Sequence, residues 1–188
     1  PISYPVTFGY TGDFAAEGRG LVAATTFYSQ VLDDPTDGAC SLNAPNAILI
    51  PVTIPDGTTY ARFSLFDDYT DGADDLDMCV YLGATQVGSS GSGTSAEEIN
   101  LLNPVAGDYT VVVQGWGTDG PDAWFTLFHW LVGSTLTGNM TVTAPTAAVI
   151  GETGTIELTF SELSPATKYL GSIAYFGAEG MPNPTIIR

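Results

Sequence analysis

The residues best equipped for chemistry lie in one run, Asp67 to Asp77, which reads DDYTDGADDLD. Six of the chain's 14 aspartates fall within these eleven residues, so their carboxylates either repel one another or share a counter-ion. A hard cation answers that demand, because calcium accepts six to eight oxygen ligands from carboxylates and loop carbonyls in tolerant geometry. Asp67, Asp71, Asp74, Asp75 and Asp77 are the candidate calcium ligands. The register is not that of an EF-hand, since Tyr69 stands at the third position and Met78 at the twelfth. The plain alternative is a hydrated acidic loop pointing outward. A shorter cluster, Asp33, Asp34 and Asp37, offers the same chemistry with fewer ligands.

Catalysis makes stricter demands. His129 is the only histidine, and it sits in the run WFTLFHWLV on the strand face shared with Phe125, Leu127 and Leu131, where packing is its expected role. A serine nucleophile would need it as a base. No Gly-x-Ser-x-Gly elbow and no phosphate-binding Gly-Lys pair occurs, and the stretch Ser90 to Ala96 reads as a flexible turn. No residue is therefore assigned a catalytic role. Cys40 and Cys79 lack Cys-x-x-Cys spacing and histidine neighbours, which argues against zinc and against a redox motif. One disulfide is their simplest use, with two buried thiols as the alternative, and a disulfide implies an oxidising, secreted setting. Trp116, Trp124, Trp130 and Tyr69 are candidates for an aromatic platform that meets sugar or peptide, with Tyr69 and Trp116 the named binding residues. Core packing is the competing use of such alternating aromatics.

These groups must be positioned by the rest of the 188-residue chain, which carries 21 acidic against 4 basic side chains, a formal charge of −17. That charge repels phosphate backbones and anionic membrane surfaces, which excludes nucleic acids and lipid headgroups as partners. A hydrophobic content of 44% is enough to build a core. The longest apolar stretch, Trp124 to Val132, is far short of the roughly 20 residues a membrane helix needs. Asp outnumbers Glu 14 to 7, a bias toward loops and turns. The chain opens on Pro1 with no leader pattern after it and reads as a processed or excised segment.

Short apolar and Thr-rich runs alternate with Gly, Pro, Asn and Asp clusters about every ten residues, the pattern of a β-sandwich or jelly roll. Strands are expected near 3–10, 20–30, 46–54, 58–66, 76–83, 97–102, 107–116 and 123–132. Period two places Tyr109, Val111 and Val113 on one face and Val112, Gln114 and Trp116 on the other. Leu76, Met78, Val80 and Leu82 likewise share a face. Ser95 and Glu98 have capping-box spacing, but Pro104 would stop a helix within two turns, so a strand is expected there. After Val132 a turn-rich linker leads to four short strands near 139–144, 154–160, 168–176 and 184–188. This tail is marginal as an independent core, so it is expected to pack on the first unit or to borrow a strand, for which residues 1–10 are the candidate.

The run from Asp74 to Leu82, a Ser/Gly-rich turn, Glu97 to Leu101, and Pro104 to Trp116 together resemble the bacterial pre-peptidase C-terminal domain, a small jelly roll appended to secreted proteases. The resemblance spans roughly 12–132 and is clearest at 58–132. The segments from Asn139 to Pro145, Gly154 to Phe160 and Lys168 to Phe176 are similar to the fibronectin type III-like ending of long subtilisin-like proteases. Ser3 to Phe8 looks like the strand that leaves a preceding domain there. The cysteine pair and the long acidic insertion at 67–77 depart from the family pattern. The resemblance implies an all-β chain: a leading strand at 1–11, a jelly-roll/β-sandwich domain at 12–133 and a small fibronectin type III-like β-sandwich at 134–188. It implies a non-catalytic accessory region of a secreted subtilisin-like serine protease. Its expected partners are the catalytic domain of the same protease and a protein or polysaccharide substrate. A carbohydrate- or fibrous-protein-binding module is the alternative.

Overall fold

The computed structural model describes residues 1–188, and the chain is all-β: no α-helix forms, and one 3-10 turn, Asp67–Tyr69, interrupts the strands. Three strands open it: β1 (Ile2–Thr7), β2 (Gly12–Asp13) and β3 (Ala15–Ala23). Eight follow: β4 (Thr25–Leu32), β5 (Ile48–Ile54), β6 (Tyr60–Ser64), β7 (Asp75–Leu82), β8 (Thr85–Ser90), β9 (Glu98–Leu102), β10 (Gly107–Gly117) and β11 (Asp122–Val132). Five close it: β12 (Met140–Thr143), β13 (Ala147–Ala148), β14 (Thr153–Phe160), β15 (Tyr169–Phe176) and β16 (Thr185–Ile187).

The chain divides into two compact units, residues 25–131 and residues 1–24 with 132–188. The first holds two four-stranded antiparallel sheets, ordered β5-β10-β7-β8 and β4-β11-β6-β9. Counted from the first of its eight strands, these run 2-7-4-5 and 1-8-3-6, which is the strand order of a jelly roll. The alternation of Val and Tyr along β10 sends Tyr109, Val111 and Val113 inward, where they meet Leu76, Met78 and Val80 of β7 and Phe125 and Leu127 of β11 in one core. Phe63, Leu76, Met78 and Phe125 are fully buried there. The two-residue turn between β7 and β8 has Gly83 at φ +61°, a conformation that suits glycine and the twist of a tight hairpin.

The second unit is a small β-sandwich of two three-stranded sheets, β1-β14-β12 and β16-β15-β3, with the short pair β13-β2. Residues 2–7 pair antiparallel with 158–153, and β3 pairs with β15 from Ala15 opposite Phe176 to Ala23 opposite Tyr169. Its core draws Phe8, Phe14 and Leu21 from the start of the chain and Met140, Ile156, Leu158 and Ile173 from the end. The units meet in sequence at 24/25 and 131/132 rather than at the expected 11/12 and 133/134. The cause is local: the single strand expected at 20–30 is two strands, broken at Ala24, whose N–H donates to the carbonyl of Lys168 at 2.9 Å. β3 is thereby committed to β15 and β4 to β11.

Candidate functional site

Chemistry-bearing side chains gather where the loops joining β4–β5, β6–β7 and β10–β11 exchange hydrogen bonds. Asp33 Oδ1 accepts from Thr118 N–H at 3.1 Å and from the Thr118 hydroxyl at 3.2 Å. Asp74 Oδ1 accepts from Asp119 N–H at 2.9 Å, Asp119 Oδ2 from Ala73 N–H at 3.1 Å, and Asp71 Oδ1 from Trp124 N–H at 2.6 Å. Gly72 makes room for this contact: a Cβ there would stand 2.6 Å from Asp119 Oδ2. Asp74 is only 6% exposed, and its Oδ2 is buried with no hydrogen-bond partner. Burial pushes the Asp74 carboxyl above its ordinary value; the Asp119 N–H opposes this, and the carboxylates of Asp119, Asp71 and Asp122 add to it.

A second acidic group forms on the opposite side of β7. Alternation turns Leu76 and Met78 into the core and leaves Asp75 and Asp77 on the other face, in electrostatic reach of Glu97. Glu97 is buried; its Oε1 accepts from Ser92 N–H at 2.7 Å, and the Ser90 hydroxyl donates to its Oε2. Asp75 Oδ1 is buried without a partner. Burial, followed by repulsion from Asp75 and Glu97, raises the Asp77 carboxyl to about 6; burial and Glu97 raise that of Asp75. The five expected calcium ligands are thus divided. Asp67 is exposed on the 3-10 turn, Asp71 and Asp74 join Asp119 and Asp122, and Asp75 and Asp77 join Glu97. No three His, Cys, Asp or Glu side chains converge closely enough to enclose a metal ion by themselves.

Cys40 and Cys79 form a disulfide with Cα atoms 6.0 Å apart. It ties the long β4–β5 connection to the outer face of β7, where Cys79, Tyr81 and Val112 pack with Cys40, Leu42 and Ala47. Asp34 anchors the same connection. It is fully buried, accepts from Gln114 Nε2 at 2.5 Å and takes Thr36 N–H and hydroxyl on its other oxygen at 2.8 and 2.7 Å. Burial alone would raise its pKa, but the hydrogen bonds from Thr36 and Gln114 outweigh it and hold the carboxyl below its ordinary value.

The aromatic candidates separate as well. Trp130 is buried, whereas Trp116, Trp124 and Tyr69 are exposed. Tyr69 packs edge-on against Phe128 with centroids 4.8 Å apart, and Trp124 stacks on Tyr28 across β4 and β11 at 5.2 Å. His129 lies beside the Phe63 ring at 6.1 Å with its Nδ1 buried and unpartnered, and burial lowers its pKa.

Asp119, Asp122, Glu97 and Tyr28 escaped the sequence reading. One signal pointed to the first: the tripeptide Thr-Asp-Gly occurs at 36–38, 70–72 and 118–120, once in each of the three joined loops. No family model and no curated protein matches the chain.

Proposed function

We propose that this chain is a non-catalytic C-terminal accessory region of a secreted subtilisin-like serine protease, which stabilises the protease or docks its substrate. The observation that carries the reading is the jelly-roll order of residues 25–131, because β7, β9 and β10 hold the residues that resemble the pre-peptidase C-terminal domain. The surroundings of His129 support it, since the one histidine is spent on packing against Phe63. The Cys40–Cys79 disulfide fits an oxidising compartment, and no helix is long and apolar enough to cross a membrane. The reading frame that encodes the chain is expected to specify a catalytic Asp, His and Ser set upstream. Deleting the region from that protease is expected to shorten its half-life on heating or to slow attack on a large substrate, while turnover of a short peptide is kept. Hydrolysis by the 188 residues alone, lost in His129→Ala, would overturn the proposal.

A second reading, a polysaccharide- or fibre-binding module, is favoured by the exposed Tyr28–Trp124 stack, with Trp116 and Tyr69 also open to solvent. Fold alone licenses no such function. Retention on insoluble chitin, cellulose or collagen, lost in Trp124→Ala or Trp116→Ala, would favour it. Equal retention of wild type and both variants would count against it.

A further inference from the structure

The smaller sandwich is open on one side, where its two sheets run out. β1 is the edge of one sheet and β16 the edge of the other, and both line a cleft of about 540 Å³. That volume falls within the roughly 300–1,000 Å³ typical of small-molecule sites. Five aromatic rings line it: Tyr4, Phe8, Tyr10, Phe14 and Tyr175. Phe8 and Phe14 are buried and meet edge-on with centroids 5.1 Å apart, and Phe14 stacks on Tyr175 at 6.3 Å, so these rings form a connected wall. Tyr10 is fixed by its hydroxyl, which donates to the Asp13 carbonyl at 2.6 Å. Gly177 leaves room for that hydroxyl, since a Cβ there would strike it. Three lining hydroxyls form a chain: Tyr4 Oη stands 2.8 Å from Tyr175 Oη, which stands 2.5 Å from Thr185 Oγ1. Each hydroxyl oxygen carries two lone pairs, so the chain keeps acceptors to spare.

We propose that this cleft binds an alkylammonium cation, with the charged group among the aromatic rings and its apolar body against Met181 and Pro182. Charge selects the ligand. Glu179, exposed on the loop after β15, is the only charged side chain in the lining, and none of the sandwich's basic residues, Arg19, Lys168 and Arg188, contributes to it. An anion would meet the Glu179 carboxylate, the negative faces of aromatic rings and a chain of net charge −17, all of one sign. An organic cation turns each of these into an attraction. The carbon surface distinguishes that ligand from a hard metal ion, which needs oxygen ligands on every side. The site belongs to the smaller sandwich, whereas the proposed protease role is carried by the jelly roll, so each holds or fails without the other.

The test is calorimetric titration of the whole 188-residue chain with three probes, at an ionic strength held constant with sodium chloride. The probes are choline chloride, Nα-acetyl-lysine methylamide, and 3,3-dimethylbutan-1-ol, the uncharged carbon isostere of choline. Titration to about 50 mM saturates a site with a Kd of about 1 mM. The expected result is one site that binds one or both cations about tenfold or more tightly than the isostere. A preference for choline assigns the cleft to free quaternary cations, and a preference for the lysine amide assigns it to the basic side chains of a peptide. Tyr10→Leu, which removes a ring, should lower cation affinity about tenfold, whereas Tyr10→Phe, which keeps it, should bind close to wild type. Glu179→Gln, on an exposed loop and expected to fold, should lower it about threefold. If Tyr10→Leu does not fold, Glu179→Gln and the isostere still decide the matter. Absence of heat with both cations, or an isostere that binds as well as they do, would overturn the proposal. Cation binding that survives Tyr10→Leu and Glu179→Gln but is lost in Trp124→Ala would also overturn it, by moving the ligand to the Tyr28–Trp124 stack.

Discussion

The two units reach the same class of architecture from opposite starting conditions. The jelly roll is one uninterrupted segment, 25–131, with a disulfide, a charge of −14 and a core of aliphatics and aromatics contributed by both sheets. The smaller sandwich is made from the two ends of the chain, 1–24 and 132–188; it carries six acidic against three basic side chains and has no disulfide. Its sheets exist only because β1 joins β14 and β3 joins β15, pairings separated by about 150 residues of sequence. The jelly roll owns every strand it needs, whereas the smaller unit completes its sheets only by bringing the two ends of the chain together.

The largest expected effect follows from that closure. Deleting residues 1–24 removes β1 and β3, leaves β14 and β15 with one neighbour each, and strips Phe8, Phe14 and Leu21 from the core. A fragment of residues 132–188 is expected to show no cooperative unfolding, because short chains with incomplete sheets bury too little apolar surface. A fragment of residues 25–131 is expected to unfold cooperatively in urea and to give dispersed amide resonances. A folded 132–188 fragment would erase the contrast between the units.

The next effect tests the core of the self-sufficient unit. Phe125 is fully buried between the sheets of the jelly roll. Phe125→Ala is expected to cost about 3–5 kcal/mol, measured as a lower urea midpoint with an unchanged slope. A loss below about 1 kcal/mol would mean that the site collapses around the cavity and that the core is looser than its burial suggests.

How much of this was legible beforehand depends on whether a residue's neighbours were close in sequence. The alternation in Tyr109 to Trp116 and Leu76 to Leu82 announced both strands and their inward faces, because period two is a local property. The strand after Ser95 was also readable, since Pro104 left a helix no length. β8 was missed: Thr85–Ser90 has no apolar alternation, lies largely exposed, and is a strand because β7 templates it through the Gly83 turn. The break at Ala24 was missed because both flanking segments favour extended chain and only their different partners, β15 and β11, separate them. At the acidic site, Asp71 and Asp74 were conspicuous, but Asp119 and Asp122 stand more than 40 residues away and are brought near by the β10–β11 turn. Strand alternation, which the same sequence displays plainly, is what parts Asp75 and Asp77 from them.

A third effect concerns the staple that only the jelly roll has. Cys40 and Cys79 are 39 residues apart, and closing a loop of that length restricts the unfolded chain. Reduction, or the paired change Cys40→Ala with Cys79→Ala, is expected to lower stability by about 2–4 kcal/mol, read from urea unfolding with and without reductant. The loss should be localised: the β4–β5 connection, still held by Asp34 and Gln114, should exchange its amide hydrogens faster while the β10–β7 pairing remains protected.

The smallest effect sharpens the charge contrast through pH, and its sign can be worked out for two carboxyls of the jelly roll. Asp77 has its pKa raised from 3.8 to about 6, so the folded state holds its proton more tightly than the unfolded state does. Its contribution to stability is fully present below about 3.8 and is lost as pH rises through about 6. Asp34 behaves oppositely, because its pKa is lowered: its contribution is present above the ordinary carboxylate range and disappears as the solution is acidified below it. Between pH 7 and pH 5, where Asp34 stays ionised, Asp77 is therefore expected to add stability, with Asp74 and Asp75 acting in the same direction and His129, whose pKa burial lowers, acting in the opposite one. Asp77→Asn should raise stability at pH 7 and flatten the dependence over that interval, whereas Asp34→Asn should lower stability at both values by leaving Gln114 and Thr36 with a poorer acceptor. Urea midpoints measured at pH 5, 6 and 7 on the three proteins would check this, and an unchanged slope in Asp77→Asn would remove Asp77 as its source.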